Sequence, residues 1–153
     1  MNARVGCIRK FTEKHIIFAF SPFIKIRRFH LKIFIATSKK FYPEIKILIE
    51  RLRKPDLTIF HPYFNFDLDQ AEQDPELKGR LTLQHFPEID ACDLLFAFLP
   101  HGYIGTSVTI ELTYAYAKGK RILVSELPQE FAVRAMVHEV CNVEDFVRLI
   151  QNV

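Results

Sequence analysis

Five short runs of β-branched, aromatic and aliphatic residues alternate along this chain with segments of helical periodicity, and that alternation constrains the fold more than any other feature. Leu31–Ala36, Leu57–Phe60, Leu94–Leu99, Arg121–Ser125 and Val137–Cys141 are the strand-length runs. The third, Leu-Leu-Phe-Ala-Phe-Leu, has no polar interruption, as a strand covered on both faces requires. Between the runs, Pro43–Leu52 places Ile45, Leu48, Ile49 and Leu52 on one helical face, with Pro43 suited to a first turn. Tyr63–Arg80 is polar and acidic, and reads as a loop followed by an exposed helix. Leu83–Cys92 reads as helical, with Pro87 expected to break or restart it. Val108–Lys118 is a further helix closed by Gly119, and Asn142 with Asp145 caps a last helix through Ile150. Such an order predicts right-handed crossovers between parallel strands. The expected fold is a three-layer α/β/α sandwich on a five-stranded parallel sheet, flavodoxin-like or Rossmann-like.

The length, 153 residues, suits one domain, and the 25% of charged residues is ordinary for a soluble protein. The charge is uneven. Residues 1–32 hold eight of the 21 Lys and Arg but only Glu13 among the acids, which leaves the remainder net acidic. A net-acidic body argues against nucleic acid as the ligand. The domain is expected over 31–153, and 1–30 as a basic leader, disordered or outside the mature domain. Transit-peptide, membrane-surface and partner-binding roles are alternatives for that leader. Its apolar run, His15–Phe23, is too short to span a bilayer. Cys7, Cys92 and Cys141 are far apart and form no C-x-x-C pair, and the six His lack ligand spacing. These counts imply a reducing, cytoplasmic setting, with no metal and no organic cofactor expected.

In parallel sheets ligands bind beyond the carboxyl ends of the strands. Three polar segments converge there: Thr37–Lys40, His61–Asp67 and His101–Ser107. Gly102 and Gly105 let backbone approach a ligand closely, and the helix start that follows favours an anion. Glu111 sits just inside that helix among Val108, Ile110, Leu112 and Ala115. It is either a carboxylate held in an apolar setting near the ligand or a solvent-facing acid that merely suits the helix N-terminus.

The segment Ile104–Val124 resembles the signature of the nucleoside 2-deoxyribosyltransferase-like superfamily, which includes nucleotide N-glycosidases. Glu111-Leu-Thr-Tyr-Ala115 matches that family's helix except that Thr113 replaces Gly. Lys32–Ser38 resembles its opening strand and turn, and Ile89-x-x-x-Asp93-Leu-Leu-Phe-Ala97 its helix-to-strand junction. The resemblance implies Glu111 as a nucleophile on the anomeric carbon of a nucleoside or nucleotide, as in retaining glycosidases. Water would complete a hydrolase and a second base a transferase. It also implies a homodimer or larger homo-oligomer. Three positions depart from the transferase pattern. Phe34 replaces a Tyr, His85 an Asp, and Gly105 an Asp six residues before the nucleophile. His85 is nonetheless a candidate proton donor to the leaving base, or else a partly exposed helix histidine without a role.

Phe34, Thr37, Ser38, Lys39, Gly102, Gly105, Thr106 and Ser107 are the expected substrate contacts, the hydroxyls and Lys39 around a 5′-phosphate. Alternatively the hydroxyls only cap helices. His61, with Tyr63, Phe64 and Phe66, is expected to wall the base, or else to form a lid or core edge. Asn65, Asp67 and Asp69 make no metal loop. A nucleotide-binding or sensing module that has lost catalysis is the second functional reading.

Overall fold

A computed structural model describes residues 30–64 and 73–153. Within them five parallel strands, β1 (Leu31–Thr37), β2 (Leu57–Phe60), β3 (Leu94–Phe98), β4 (Arg121–Val124) and β5 (Glu139–Val140), form one sheet in the order β2-β1-β3-β4-β5. All four pairings are parallel, with Ile33 beside Ile59 and Ala36 beside Ala97 in register. The helices are α1 (Tyr42–Leu52), α2 (Pro75–Ala91), α3 (Thr106–Ala117), α4 (Phe131–Arg134) and α5 (Val143–Gln151), with short 3₁₀ turns at Lys39–Phe41 and Pro100–Gly102. This is the expected α/β/α sandwich. Residues 1–29 of the leader, and Asn65, Phe66, Asp67 and Asp69, lie outside the described residues.

Strand side chains alternate between two cores because the pleat has a period of two. Phe34, Ala36, Leu95, Ala97, Ile122 and Val124 face α2, α3 and α4. Ile33, Ile35, Phe96 and Leu123 face α1 and α5. On that second side Phe96 and Phe146 stack at 3.8 Å between ring centroids. Helix α1 buries Ile45, Leu48, Ile49 and Leu52, the stripe read from the sequence. Full burial of each such side chain contributes on the order of 2 kcal/mol.

The helix ends follow local chemistry. Asp74 caps α2 by accepting from the Glu76 and Leu77 amides, both at 3.0 Å. At the end of α3, Gly119 (φ 67°) takes the left-handed position while Lys120 N–H donates to Ala115 and Gly119 N–H to Tyr116. Asn142 accepts from the Asp145 amide at 2.9 Å to start α5.

Several sequence expectations are corrected. Pro87 neither breaks nor restarts its helix, for α2 runs unbroken from Pro75 to Ala91. Leu83, whose carbonyl loses its donor to the proline, is 58% exposed, so water can serve it. Helix α3 starts two residues earlier than expected, β5 has two residues rather than five, and α4 was not anticipated. Gly102, an expected ligand contact, is not among the residues that line the cleft, and its backbone braces two loops. It lies at φ 68°, and a Cβ there would meet the Leu127 carbonyl oxygen at 2.4 Å. Its own carbonyl accepts from the Gln129 amide at 2.8 Å, which ties the loop after β3 to the loop after β4.

Gly102→Ala combines left-handed strain with that clash and is expected to lower unfolding free energy by about 2 kcal/mol or more. Urea denaturation followed by circular dichroism measures it, and a loss under about 0.5 kcal/mol, the ordinary range of surface substitutions, would contradict the assigned role.

Candidate active site

The strand order reverses direction between β1 and β3, the point at which open parallel sheets leave a crevice. A cleft of about 280 Å³ lies there. The turn after β1 gives it Thr37, Ser38 and Lys39, and the first residue of α1 gives Tyr42. Lys78, Thr82 and His85 come from α2, and Tyr103 with Gly105, Thr106 and Ser107 from the β3–α3 connection. Glu111, in the second turn of α3, lines it as well, with Pro62, Leu81 and Val108.

Burial of Glu111 follows from its helical position. Val108, Glu111, Leu112 and Ala115 share the inward stripe of α3, so the carboxylate sits within the helix's apolar seam. Its exposure is 3%, and the solvent-facing alternative falls. His85 lies on the matching stripe of α2 with Ile89 and is 7% exposed, so it is no surface histidine. The two meet directly. His85 Nδ1–H donates to Glu111 Oε1 at 2.6 Å. Among the described residues, Glu111 Oε2 and His85 Nε2 have no hydrogen-bond partner. Buried polar atoms left unpaired are rare and costly, and they gather at functional sites.

Two aromatic rings confine the imidazole. Phe34 meets it edge-on at 5.4 Å and Tyr63 lies tilted at 5.1 Å. Burial holds the Glu111 carboxyl above the ordinary carboxylate range; His85 pulls against that shift and the charge of Glu88 adds to it. Burial, together with the charge of Glu111, pushes the Tyr42 phenol up to about 12. The phenol therefore stays a donor at any working pH.

At the rim, α3 starts from Gly105 with no side-chain cap, and its ladder begins with Thr109 N–H donating to Gly105. The amides of Thr106, Ser107 and Val108 precede that first bond, as helix-start amides do. Thr106 and Ser107 are past the cap position, and Ser38 makes no capping bond either, so the capping-only reading of these hydroxyls fails. Ser107 Oγ lies 3.5 Å from Thr82 Oγ1. A Cβ on Gly105 would stand 3.4 Å from Ser38 Oγ, so the two loops meet closely here. Thr37 spends its hydroxyl proton on the Phe98 carbonyl at 3.0 Å.

Three of the expected contacts lie elsewhere. Phe34 is fully buried and reaches the site only through His85. His61 stacks on Phe64 at 4.7 Å and lines a separate shallow depression with Arg53 and Lys54. Gly102 braces the two loops described above. Conversely, Tyr42, Lys78, Thr82 and Tyr103 line the cleft without having been singled out. Tyr42 and Tyr103 lie beside the segments that were, and only the fold brings Lys78 and Thr82 to the rim. Among the described residues no three His, Cys, Asp or Glu side chains group as metal ligands do, and no helix is long and apolar enough to cross a membrane.

A raised Glu111 carboxyl destabilises the folded state wherever it must be ionised. That cost is absent below the unfolded value, about pH 4, grows as pH rises from there to the folded value, and is fully present above it. Glu111→Gln is therefore expected to melt at a higher temperature than the parent at pH 7, with the gap closing toward pH 4. Calorimetric scans across that range measure it, and a gap that widens on acidification would refute the burial argument.

No family model and no curated protein matches the chain by sequence. Solved structures do match. A conserved protein from Enterococcus faecalis V583 superposes with a TM-score of 0.57 at 19% identity, over 80% of this chain and 98% of that one. The CMP N-glycosidase of Clostridium botulinum gives 0.50 at 21%, over 79% and 98%. A 2-deoxyribosyltransferase from Bacillus psychrosaccharolyticus gives 0.50 at 18%, over 76% and 90%. The chain therefore shares its fold with a CMP N-glycosidase and a 2-deoxyribosyltransferase.

Proposed function

We propose that this chain cleaves or transfers the N-glycosidic bond of a nucleoside or nucleoside monophosphate, ribo or deoxy, with Glu111 as nucleophile. One observation carries the reading. A buried carboxylate, one oxygen fixed by His85 and the other without a partner among the described residues, lines the cleft at the switch point of the sheet. The fold shared with a CMP N-glycosidase and a 2-deoxyribosyltransferase, and the resemblance of Glu111–Ala115 to the superfamily helix, support it.

In this mechanism Glu111 Oε2 attacks C1′ as the C1′–N bond breaks, and the bond's electron pair leaves with the base, which takes up a proton. The resulting ester is resolved by water, which returns the carboxylate and gives a free sugar, or by a second base. His85 holds the nucleophile's other oxygen. Because its Nδ1 is engaged there and its Nε2 is buried, the geometry favours that role over protonation of the leaving base. The amides at the start of α3, with Ser38, Lys39, Thr106, Ser107 and Lys78, suit a 5′-phosphate, since helix-start donors and cations act together on an anion.

Chromatographic assay of free base from a panel of nucleosides and their monophosphates tests the reading. Wild type is expected to release base, and Glu111→Ala to reduce release by at least about a thousandfold while still binding substrate. Binding of a monophosphate without base release from any substrate would assign the chain to the sensing alternative. For the phosphate contact, Lys78→Ala is expected to raise KM for monophosphates about tenfold and leave nucleosides nearly unchanged, consistent with one lost charge-assisted bond. Equal effects on both substrate classes would remove Lys78 from that role.

A further inference from the structure

A second, half-buried acid stands beside the pair and has no part in the mechanism above. Glu88 follows His85 by three residues on α2, so the two share a helix face. Its Oε1 accepts from the Tyr63 hydroxyl at 2.8 Å. Its Oε2 is buried and has no partner among the described residues. Tyr63 lies against His85, with 5.1 Å between ring centroids, and His85 in turn holds Glu111 at 2.6 Å. The contacts therefore form a chain, Glu88 to Tyr63 to His85 to Glu111, closed on the far side by Phe34.

We propose that Glu88 is a positioning residue for Glu111: it latches Tyr63 across the imidazole that holds the nucleophile, and it places a second carboxylate beside that pair. This rests on the reading of Glu111 as nucleophile. The latch has a mechanical and an electrostatic part. Mechanically, the Tyr63 phenol bound to Glu88 keeps its ring on His85, and with Phe34 on another side the imidazole has one orientation. Electrostatically, the charge of Glu88 opposes ionisation of Glu111. The other titratable groups around Glu111 are His85, the Tyr42 phenol from α1, and Lys39 and Lys78, which line the same cleft. Of these the two lysines and His85 favour the carboxylate when charged, so Glu88 and burial are what set the carboxyl high.

Three variants separate the two parts. Tyr63→Phe removes the latch and leaves the charge, Glu88→Gln removes the charge and weakens the latch, and Glu88→Asp keeps the charge with a shorter reach. Two readouts apply: the pH profile of base release, and the titration of the Glu111 carboxyl by ¹³C NMR of glutamate-labelled protein, assigned by loss of its resonance in Glu111→Gln. Tyr63→Phe is expected to lower kcat about tenfold or more with KM little changed, as loss of a hydrogen bond to a charged group would. Glu88→Gln is expected to move both the Glu111 titration and the acid limb of the profile to lower pH, and Glu88→Asp to restore the titration but not kcat. Folded variants with the parent's titration and the parent's kcat would overturn the proposal. If the titration moves as stated while no variant, nor the parent, releases base, the positioning stands and the glycosidase reading falls.

Discussion

The hydrogen bond between His85 and Glu111 is the constraint around which the rest of the site is arranged. A carboxylate on the inward stripe of a helix is unfavourable unless something compensates its desolvation, and one short bond from an imidazole compensates only part of it. That imidazole is itself buried and needs its own confinement, which Phe34 and Tyr63 supply. Two helices on the same side of the sheet each give up an apolar position on their buried face to make the contact. Replacement of both partners by well-packed apolar residues would be expected to stabilise the domain. By that argument the pair burdens folding, which accords with the role proposed for Glu111.

The position of the pair follows from topology. Because β1 lies between β2 and β3, the connections leaving β1 and β3 turn to opposite faces of the sheet and part above the strand ends. The β1 connection leads into α1, which packs on the Ile33–Ile35 side, and the β3 connection into α3, which packs on the Phe34–Ala36 side. The cleft is the gap between them, and Glu111 reaches it because it is one and a half turns into α3. A sheet wound in one direction only would leave no such gap.

Much of this was legible in the sequence, and the reasons are specific. Strand runs and helical stripes are local patterns, so β1, β2, β3 and α1 fall within a residue or so of expectation. The extent of α2 did not, because Pro87 carries a strong local preference that tertiary packing overrides. Glu111 stood out because it interrupts an apolar stripe, a property of spacing alone. Its partnership with His85, 26 residues away, depends on how α2 and α3 pack, and no local pattern encodes that. Likewise His61 and Gly102 sit in segments correctly placed at the strand ends, but which way each side chain or backbone group turns is decided by contacts with Phe64 and Leu127. Lys78 was hidden for the opposite reason: it looks like any solvated lysine until the helix carrying it is laid along the cleft.

The brace at Gly102 divides the rim into parts of unequal plasticity. Gln129 reaches back to the 101–102 turn through both its amide and its side chain, and Arg134 grips the Pro128 carbonyl at 2.6 Å, so the connections after β3 and β4 behave as one welded piece. Lengthening either would strain the other and displace the helix that bears the carboxylate. Among the described residues, 61–64 after β2 share none of those welds. Tyr63 instead ties the β2 side to α2 through Glu88, so a change there reaches the His85–Glu111 pair by a route separate from the brace.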